Sequence, residues 1–385
     1  MFAVTAVVNF VFLGVPFLVS LCLGGSVVDF GGYEDSIMLV DALRKLVDGD
    51  GLTQQEASDV MTAIVDGVAS HAQVGALLAA LRTKRESVDE LTGFARVMRA
   101  RAVKVQTTRQ PLLDTCGTGG DACDTFNIST TAAFVIAAAG IAVAKHGNRA
   151  VSSKCGSADV LAALGVELRL TPEQIGQCID EVGIGFMYAP SHHPSTKNVS
   201  QIRRELAIRT VFNVLGPLTN PAGASRQLIG VFDPELCPKL AETLGRLGCE
   251  RAMVVHGMDG MDEISNVGPT RISTLQNGRV STDQRIPAEF FLVPGTLDEI
   301  KGGNSPEENA QMVMAVLQGE RGGRRDVVTV NAAAGLILGN RAEGWRDGIA
   351  LARNLIDDKR ALGVLQKLVA FTGQFTAPQQ QQAQQ

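Results

Sequence analysis

The sequence predicts a two-part α/β protein, in which a small helical bundle joins a larger α/β domain with a mainly parallel central sheet flanked by helices. Two observations carry this expectation. Three capping-box signatures punctuate residues 38–104, a stretch without a β-branched run long enough for a strand. After Lys104, short β-like runs alternate with helical patterns at the spacing of strand–helix–strand units.

In chain order, an amphipathic pattern opens with Met38, Leu39, Ala42, Leu43 and Leu46. Thr53-Gln-Gln-Glu56, Ser70-His-Ala-Gln73 and Ser87-Val-Asp-Glu90 each predict a helix start, because the hydroxyl caps the third backbone N–H while the acid or amide reaches back. Strands are expected at Leu112 to Thr115, Ala142 to Lys145, Val166 to Leu170, Gly185 to Tyr188, Leu228 to Phe232 and Ala252 to His256. Helices are expected between them at Thr130 to Ala139, Ala158 to Leu164, Pro172 to Val182 and Pro234 to Leu247, with Thr171 capping Pro172 at the first helical position. Ser195 to Ala207 reads as a helix that packs back on the first bundle. The helical domain is then discontinuous, 38–104 plus about 195–222, and a cleft separates it from the α/β domain of 105–194 and 223–373. Gly216-Pro217 and Asn220-Pro221 punctuate a rigid turn, and Asn277-Gly278 marks another. Helices near 306–318, 328–338, 342–357 and 359–372 close the fold, and the Gln-rich tail of 374–385 is expected to be disordered.

Composition narrows the class of function. Apolar residues make up 45% and charged residues 19% of the 385, which describes a globular chain and excludes a disordered one. A net charge of −5 argues against nucleic acid as the main partner, because phosphate-backbone binding draws on an excess of Lys and Arg. The seven cysteines are scattered without a C-x-x-C, which fits reduced thiols in a cytoplasmic protein better than a disulfide framework or zinc site. Residues 1–28 carry no charge and hold four of the fifteen Phe. A membrane span, a cleaved signal and an extension outside the fold compete for them. Asn9, Gly14 and Pro16 interrupt the first, and the absence of Lys or Arg before Arg44 disfavours the second. Residues 1–37 are therefore read as an appendage to a fold that starts near Met38, and a membrane role is not expected.

Four segments carry chemistry. Asp114-Thr-Cys-Gly-Thr-Gly-Gly-Asp121 runs from a strand into a glycine-rich turn, and a helix opens shortly after Asn127. Gly117, Gly119 and Gly120 allow close backbone approach to a phosphate, and free N–H groups at the helix start favour an anion. The pattern fits neither an ATP-type nor a dinucleotide-type loop. Lys145-His-Gly-Asn-Arg-Ala-Val-Ser-Ser-Lys-Cys-Gly-Ser157 holds Lys145, Arg149 and Lys154 with no acid, and Ser152, Ser153 and Ser157 as further donors, which reads as an anion clamp. His256-Gly-Met-Asp-Gly-Met-Asp262-Glu263 places two carboxylates after a strand, a set that suits Mg²⁺ beside a phosphate. Arg203 and Arg204 can grip a carboxylate, and His193 and Tyr188 offer flat faces to an aromatic ring. No Ser/His/Asp constellation or single positioned base stands out.

Together, GTGGD at 117–121, FNIST at 126–130, KHGNRAVSSKCGSADVL at 145–161 and RTVFNVLGPLTNPA at 209–222 resemble the bacterial anthranilate phosphoribosyltransferase family of tryptophan biosynthesis, over about residues 38–373. The resemblance implies a nucleoside-phosphorylase-like architecture, a homodimer formed through the helical domain, and transfer of the 5-phosphoribosyl group of phosphoribosyl pyrophosphate to the amine of anthranilate. It implies donor binding by Gly117, Gly120, Asp121, Thr125, Asn127, Ile128, Ser129, Thr130, Lys145, His146, Gly147, Asn148, Arg149, Ala150, Val151, Ser152, Ser153 and Ser157. It further implies anthranilate contacts from Gly117, Asn148 and Arg203, with His193, Tyr188 and Pro217 nearby, and one or two Mg²⁺ ions on Ser129, Asp262 and Glu263. Two alternatives share parts of this pattern. A pyrimidine-nucleoside phosphorylase would use inorganic phosphate, and a non-catalytic nucleic-acid-binding relative would be strongly basic.

Overall fold

A computed structural model describes residues 31–121, 123–150 and 154–375. It opens with four helices, α1 (Gly31–Val47), α2 (Gln54–Val65), α3 (His71–Lys84) and α4 (Val88–Arg101). Helix α1 begins seven residues ahead of Met38. All three capping boxes form: Thr53, Ser70 and Ser87 accept from the N–H of Glu56, Gln73 and Glu90, whose side chains bond back.

The rest alternates as β1 (Leu112–Gly117), α5 (Ile128–Ala138), β2 (Ala142–Gly147), α6 (Ser157–Ala163), α7 (Pro172–Val182) and β3 (Ile184–Tyr188). Then come the one-turn α8 (Ala189–His192), α9 (Lys197–Leu206), α10 (Phe212–Leu218), β4 (Arg226–Gly230), α11 (Leu236–Arg246) and β5 (Arg251–Gly257). A hairpin of β6 (Thr270–Gln276) and β7 (Arg279–Arg285) precedes α12 (Pro306–Leu317), α13 (Gly323–Leu338), α14 (Trp345–Asp357) and α15 (Arg360–Gly373). The sheet has the order β3-β2-β1-β4-β5-β6-β7, parallel from β3 to β5 and antiparallel through the hairpin.

Three expectations about elements need correction. Val166 to Leu170 is not a strand. Val166 and Leu168 are buried, as a period of two demands, but the Glu167 N–H donates to the Thr372 hydroxyl at 3.2 Å and not to a neighbouring strand. The proline-rich turn around Gly216-Pro217 contains a seven-residue helix, α10, with Pro217 inside it, where the missing N–H forgoes one intrahelical bond and helps keep the helix short. The turn expected at Asn277-Gly278 forms, but it joins two strands, β6 and β7, that the sequence pattern does not announce. Both turn residues have positive φ (52° and 71°), the geometry that joins two strands tightly, while β7 is nearly all polar and exposed and so lacks an apolar alternation.

Val199 and Ile202 of α9 are buried in one core with α1 to α4, and Asn198 Nδ2 donates to the Val65 carbonyl at 2.9 Å. That core continues into Ile229, Val231 and Val254 of the sheet side, so the bundle is welded to one face of the sheet. Arg99 reinforces the seam by donating to the carbonyls of Leu218 (2.6 Å) and Leu247 (3.0 Å), where α10 and α11 end. The opposite face is covered by α5 and α12 to α15 around Phe134, Val328 and Leu365. Among the described residues no helix is long and apolar enough to cross a membrane, and six cysteines are free thiols. The readings made for residues 1–30 and for the end of the tail lie outside the described residues.

Candidate active site

Parallel strands deliver their carboxyl ends to one edge, where Gly117 lies in register with Gly230, and Gly147 with Tyr188. Strand β1 pairs with β2 on one side and β4 on the other, so the winding reverses there. In open α/β sheets the crevice outside such a reversal is where ligands bind.

The glycine-rich turn occupies this crevice. Gly119 and Gly120 take φ of 66° and 74°, a region that glycine enters without a Cβ penalty. The Gly119 N–H donates to Asp262 Oδ2 at 2.8 Å, and the Gly120 carbonyl accepts from Arg209 Nη2. Asp262 is so close that a Cβ on Gly117 would meet its Oδ2 at 2.4 Å. Asp121 accepts from the Cys123 N–H at 3.4 Å through Oδ1, while its Oδ2 is buried without a partner. Asn127 stands at the start of α5, donating to the Cys155 carbonyl at 3.2 Å and leaving its Oδ1 buried and unpaired. In the first turn of α5 the Ser129 N–H donates to Glu263 Oε1 at 3.0 Å. The side chains of Ile128 and Thr130 are buried, so contact with a ligand falls to their backbone. Thr125 forms a lone β-bridge with Lys301.

The second segment differs from an open cationic loop. Lys145 is 2% exposed and donates to the Thr115 carbonyl of β1. Beside it Asp114 is buried, accepting from the His146 N–H at 3.1 Å and Asn220 Nδ2 at 2.8 Å. Burial pushes the Asp114 carboxyl up and the Lys145 amine down, and each charge opposes the other's shift. Arg149 reaches Asp159, just beyond the stretch without acids, at 2.8 Å. Asp159 also accepts from the N–H groups of Ala150 (2.9 Å) and Gly156 (3.0 Å), so one carboxylate gathers both ends of the loop. Sequence reasoning missed it; the capping position at Gly156 is the only signal for it. Asn148 and Ser157 meet where the Ser157 hydroxyl donates to the Asn148 carbonyl at 3.3 Å. Gly147 has no room for a Cβ, which would lie 2.2 Å from that hydroxyl. Lys154 points away to Asn304 (2.9 Å), and Val151, Ser152 and Ser153 lie outside the described residues.

On the helical side, the rings of His146 and His193 lie 5.2 Å apart. Burial pushes them down to about 3 and about 4, so both are neutral at pH 7. His146 Nδ1 faces the Gly216 carbonyl at 3.2 Å, which makes Nδ1 the protonated nitrogen and leaves Nε2 as a buried, unpaired acceptor. Arg203 lies over the Phe212 ring at 5.4 Å, and among the described residues no acid is bonded to it. Pro217 belongs to α10, and its carbonyl accepts from Gln227. Tyr188 ends β3 beside Gly147. Arg204 is exposed on the outer face of α9.

Asp121, Asp262 and Glu263 are the hard oxygen donors at the crevice. Burial pushes Asp262 up to about 7 and Glu263 up to about 8, with the neighbouring charge of Asp121 on Asp262, and of Asp262 on Glu263, adding to it. Half-buried acids of raised pKa, one with a buried and unpaired oxygen, are what a cation relieves. Among the described residues no three acidic, His or Cys side chains gather into a group that could hold a metal ion by itself. Mg²⁺ keeps several waters and needs only one or two protein carboxylates when it lies beside a phosphate.

A helical bundle fused to an α/β domain with an anion crevice at the reversal point defines the two-domain glycosyl transferases. Family models for the helical bundle domain and the a/b domain of that family match residues 40–102 and 109–362. Anthranilate phosphoribosyltransferases of Symbiobacterium thermophilum and Pelotomaculum thermopropionicum are 53% and 50% identical to the chain. The alignments cover 87% and 88% of this chain and 98% of each of those proteins. The crystal structure of the Thermus thermophilus enzyme superposes with a TM-score of 0.82 at 43% identity, covering 86% of this chain and 99% of that one. The Saccharomyces cerevisiae enzyme in complex with PRPP and Mg does so at 0.79 with 27% identity, covering 88% and 98%. The chain belongs to the anthranilate phosphoribosyltransferase family.

Proposed function

We propose that this chain transfers the 5-phosphoribosyl group from phosphoribosyl pyrophosphate to the amine of anthranilate, releasing pyrophosphate, in tryptophan biosynthesis. The observation that carries the reading is the convergence of the 117–121 turn, the start of α5 and the Asp262-Glu263 pair at one sheet edge, in a chain 53% identical to a named anthranilate phosphoribosyltransferase. The yeast relative has been captured with 4-fluoroanthranilate as well as with the donor, which supports both substrate classes.

The donor's phosphates lie against the glycine-rich turn and the first turn of α5, together with the 145–157 segment; there Asp262 and Glu263 hold the Gly119 and Ser129 N–H groups. Asp262 and Glu263, with Ser129 beside them, hold one or two Mg²⁺ ions, which supply charge neutralisation for the departing pyrophosphate. Anthranilate lies on the helical side, its carboxylate facing Arg203 and its amine facing the ribose, with Gly117 and Asn148 at the junction. An aryl amine is neutral at pH 7, so orientation is the main requirement. The neutral His146 offers Nε2 as a hydrogen-bond acceptor for the amine. The domain limits given above, assembly as a homodimer through the helical bundle, and a cytoplasmic location complete the reading.

The direct test is the loss of anthranilate fluorescence on adding donor and Mg²⁺ to the purified protein, with and without chelator. Turnover abolished by chelator is expected. Phosphorolysis of uridine or thymidine without anthranilate turnover would assign the fold to a nucleoside phosphorylase instead.

Two further results follow from the residues. Arg203→Ala should raise KM for anthranilate by about tenfold or more and leave the donor KM within about twofold, since a charge-assisted carboxylate contact contributes about 1.5–3 kcal/mol. A selective rise in the donor KM would remove Arg203 from the acceptor site. Mg²⁺ affinity should weaken as pH falls from 8.5 to 6, because the raised acids, at about 7 and about 8, must release protons to take the ion. Calorimetric titration at three pH values reads this directly; affinity that is flat or rises on acidification would place the ion elsewhere.

A further inference from the structure

We propose that Arg209 is a positioning residue for the glycine-rich donor turn, bracing it from the segment that follows the acceptor-side helix α9. This rests on the functional reading above and adds to it a residue that the motifs did not single out for a role.

The turn contains two successive glycines at positive φ, Gly119 and Gly120, and such residues lose more conformational freedom on ordering than any others. Its order must therefore come from outside. One anchor is Asp262, which accepts from the Gly119 N–H at 2.8 Å. The other is Arg209, whose Nη2 donates to the Gly120 carbonyl. The two anchors act on opposite polarities of the backbone, one on a donor and the next on an acceptor.

Arg209 is itself held in place. Its guanidinium lies over the Phe232 ring at 4.4 Å, and the Phe232 N–H donates to the Thr118 hydroxyl at 3.1 Å. Thr118, Phe232, Arg209 and Gly120 thus form a closed circuit of contacts around the turn. The peptide unit explains what the circuit achieves. In a trans peptide the C=O and the following N–H point in opposite directions. With the Gly120 carbonyl turned toward Arg209, the Asp121 N–H is turned away from it. Loss of the guanidinium frees that peptide to rotate and removes a fixed N–H from the crevice.

The connection to the acceptor side is covalent. Helix α9, which carries Arg203, ends at Leu206, and Ala207 then adopts φ of 51°, so Arg209 follows after a single sharp bend. Movement of α9 is therefore passed to the donor turn over three residues. Among the described residues no acid is bonded to Arg209, which remains solvent-exposed beside a cavity lined by Arg82, Arg85, Glu86, Phe232, Asp233 and Lys239.

Arg209→Ala tests this in two independent ways. In steady-state assays of the full chain, the donor KM should rise about tenfold, equivalent to about 1.4 kcal/mol, while KM for anthranilate at saturating donor stays within about twofold. Millimolar guanidinium, entering from the open cavity, should recover part of the loss, and Arg209→Lys should fall between the two. In hydrogen exchange without substrates, amides 118–121 should exchange about tenfold faster in Arg209→Ala than in the unsubstituted chain, with core strands unchanged. Unchanged exchange at 118–121, or equal losses for both substrates without guanidinium rescue, overturns the role. If the unsubstituted chain failed to consume anthranilate, the functional reading would fall, and the exchange result would still decide whether Arg209 braces the turn.

Discussion

Glu263→Gln is expected to lower kcat by about 10²–10³-fold while leaving the fold intact. The substitution keeps an oxygen that can accept the Ser129 N–H, now at 3.0 Å, and removes only the charge. Burial already pushes Glu263 up to about 8, so without a cation the neutral acid is the prevailing form at pH 7 and the amide is its close mimic. Stability without Mg²⁺ should therefore change little. The loss should appear where charge matters, in Mg²⁺ affinity and in turnover. Kinetics across a Mg²⁺ series, with thermal unfolding with and without the ion, check both halves. The unsubstituted protein should be stabilised by Mg²⁺ with donor, by mass action, and the variant much less. A variant within about tenfold of full activity would show that Glu263 is only a structural cap on α5.

Gly230→Ala is the second large effect, and its cause is steric. A Cβ at Gly230 would lie 1.5 Å from the Asp262 carbonyl oxygen and 2.5 Å from its carbonyl carbon. These are backbone atoms, so no flexible side chain can absorb the clash, and the acid-bearing loop must move by an ångström or more. A misplacement of about 1 Å in a positioned group can cost about 10² in rate. Overpacking of this kind costs about 1–3 kcal/mol, which lowers Tm by several degrees. Gly363→Ala in α15 is the control. Nothing lies within 4 Å of its Cβ position, and as a helical glycine it should gain about 0.5–1 kcal/mol on substitution. If Gly230→Ala retained both activity and Tm, the close approach of the Asp262 loop to β4 would not be required for the site.

Local signals were legible wherever the responsible atoms are neighbours in the chain. The capping boxes at Thr53, Ser70 and Ser87, the Thr171-Pro172 helix start and the Asn277-Gly278 turn each follow from a few adjacent residues. Glycines 117, 119 and 120 also announced a close backbone approach. The approach expected was to a phosphate; that Gly117 and Gly119 also meet Asp262, some 140 residues away, and Gly120 meets Arg209 could not be read from spacing. The misread segments share one cause. Val166 to Leu170 has the alternation of a strand, but whether its N–H groups meet a strand or the Thr372 hydroxyl depends on how α15 packs. Conversely, the polar β7 shows no alternation and becomes a strand because β6 offers it a full ladder.

By itself the sequence determined the helical bundle, the five parallel strands of the sheet, the glycine-rich turn after β1 and the family to which those motifs belong, since each depends on residue types at short, fixed spacing. Only the tertiary structure decided the sign and availability of the charges. Lys145, read as a loop cation, is buried against β1, Arg149 is partnered by Asp159, and Asp262 and Glu263 become half-buried acids of raised pKa. Charge at a site depends on desolvation and on partners brought from distant segments, and folding alone supplies both.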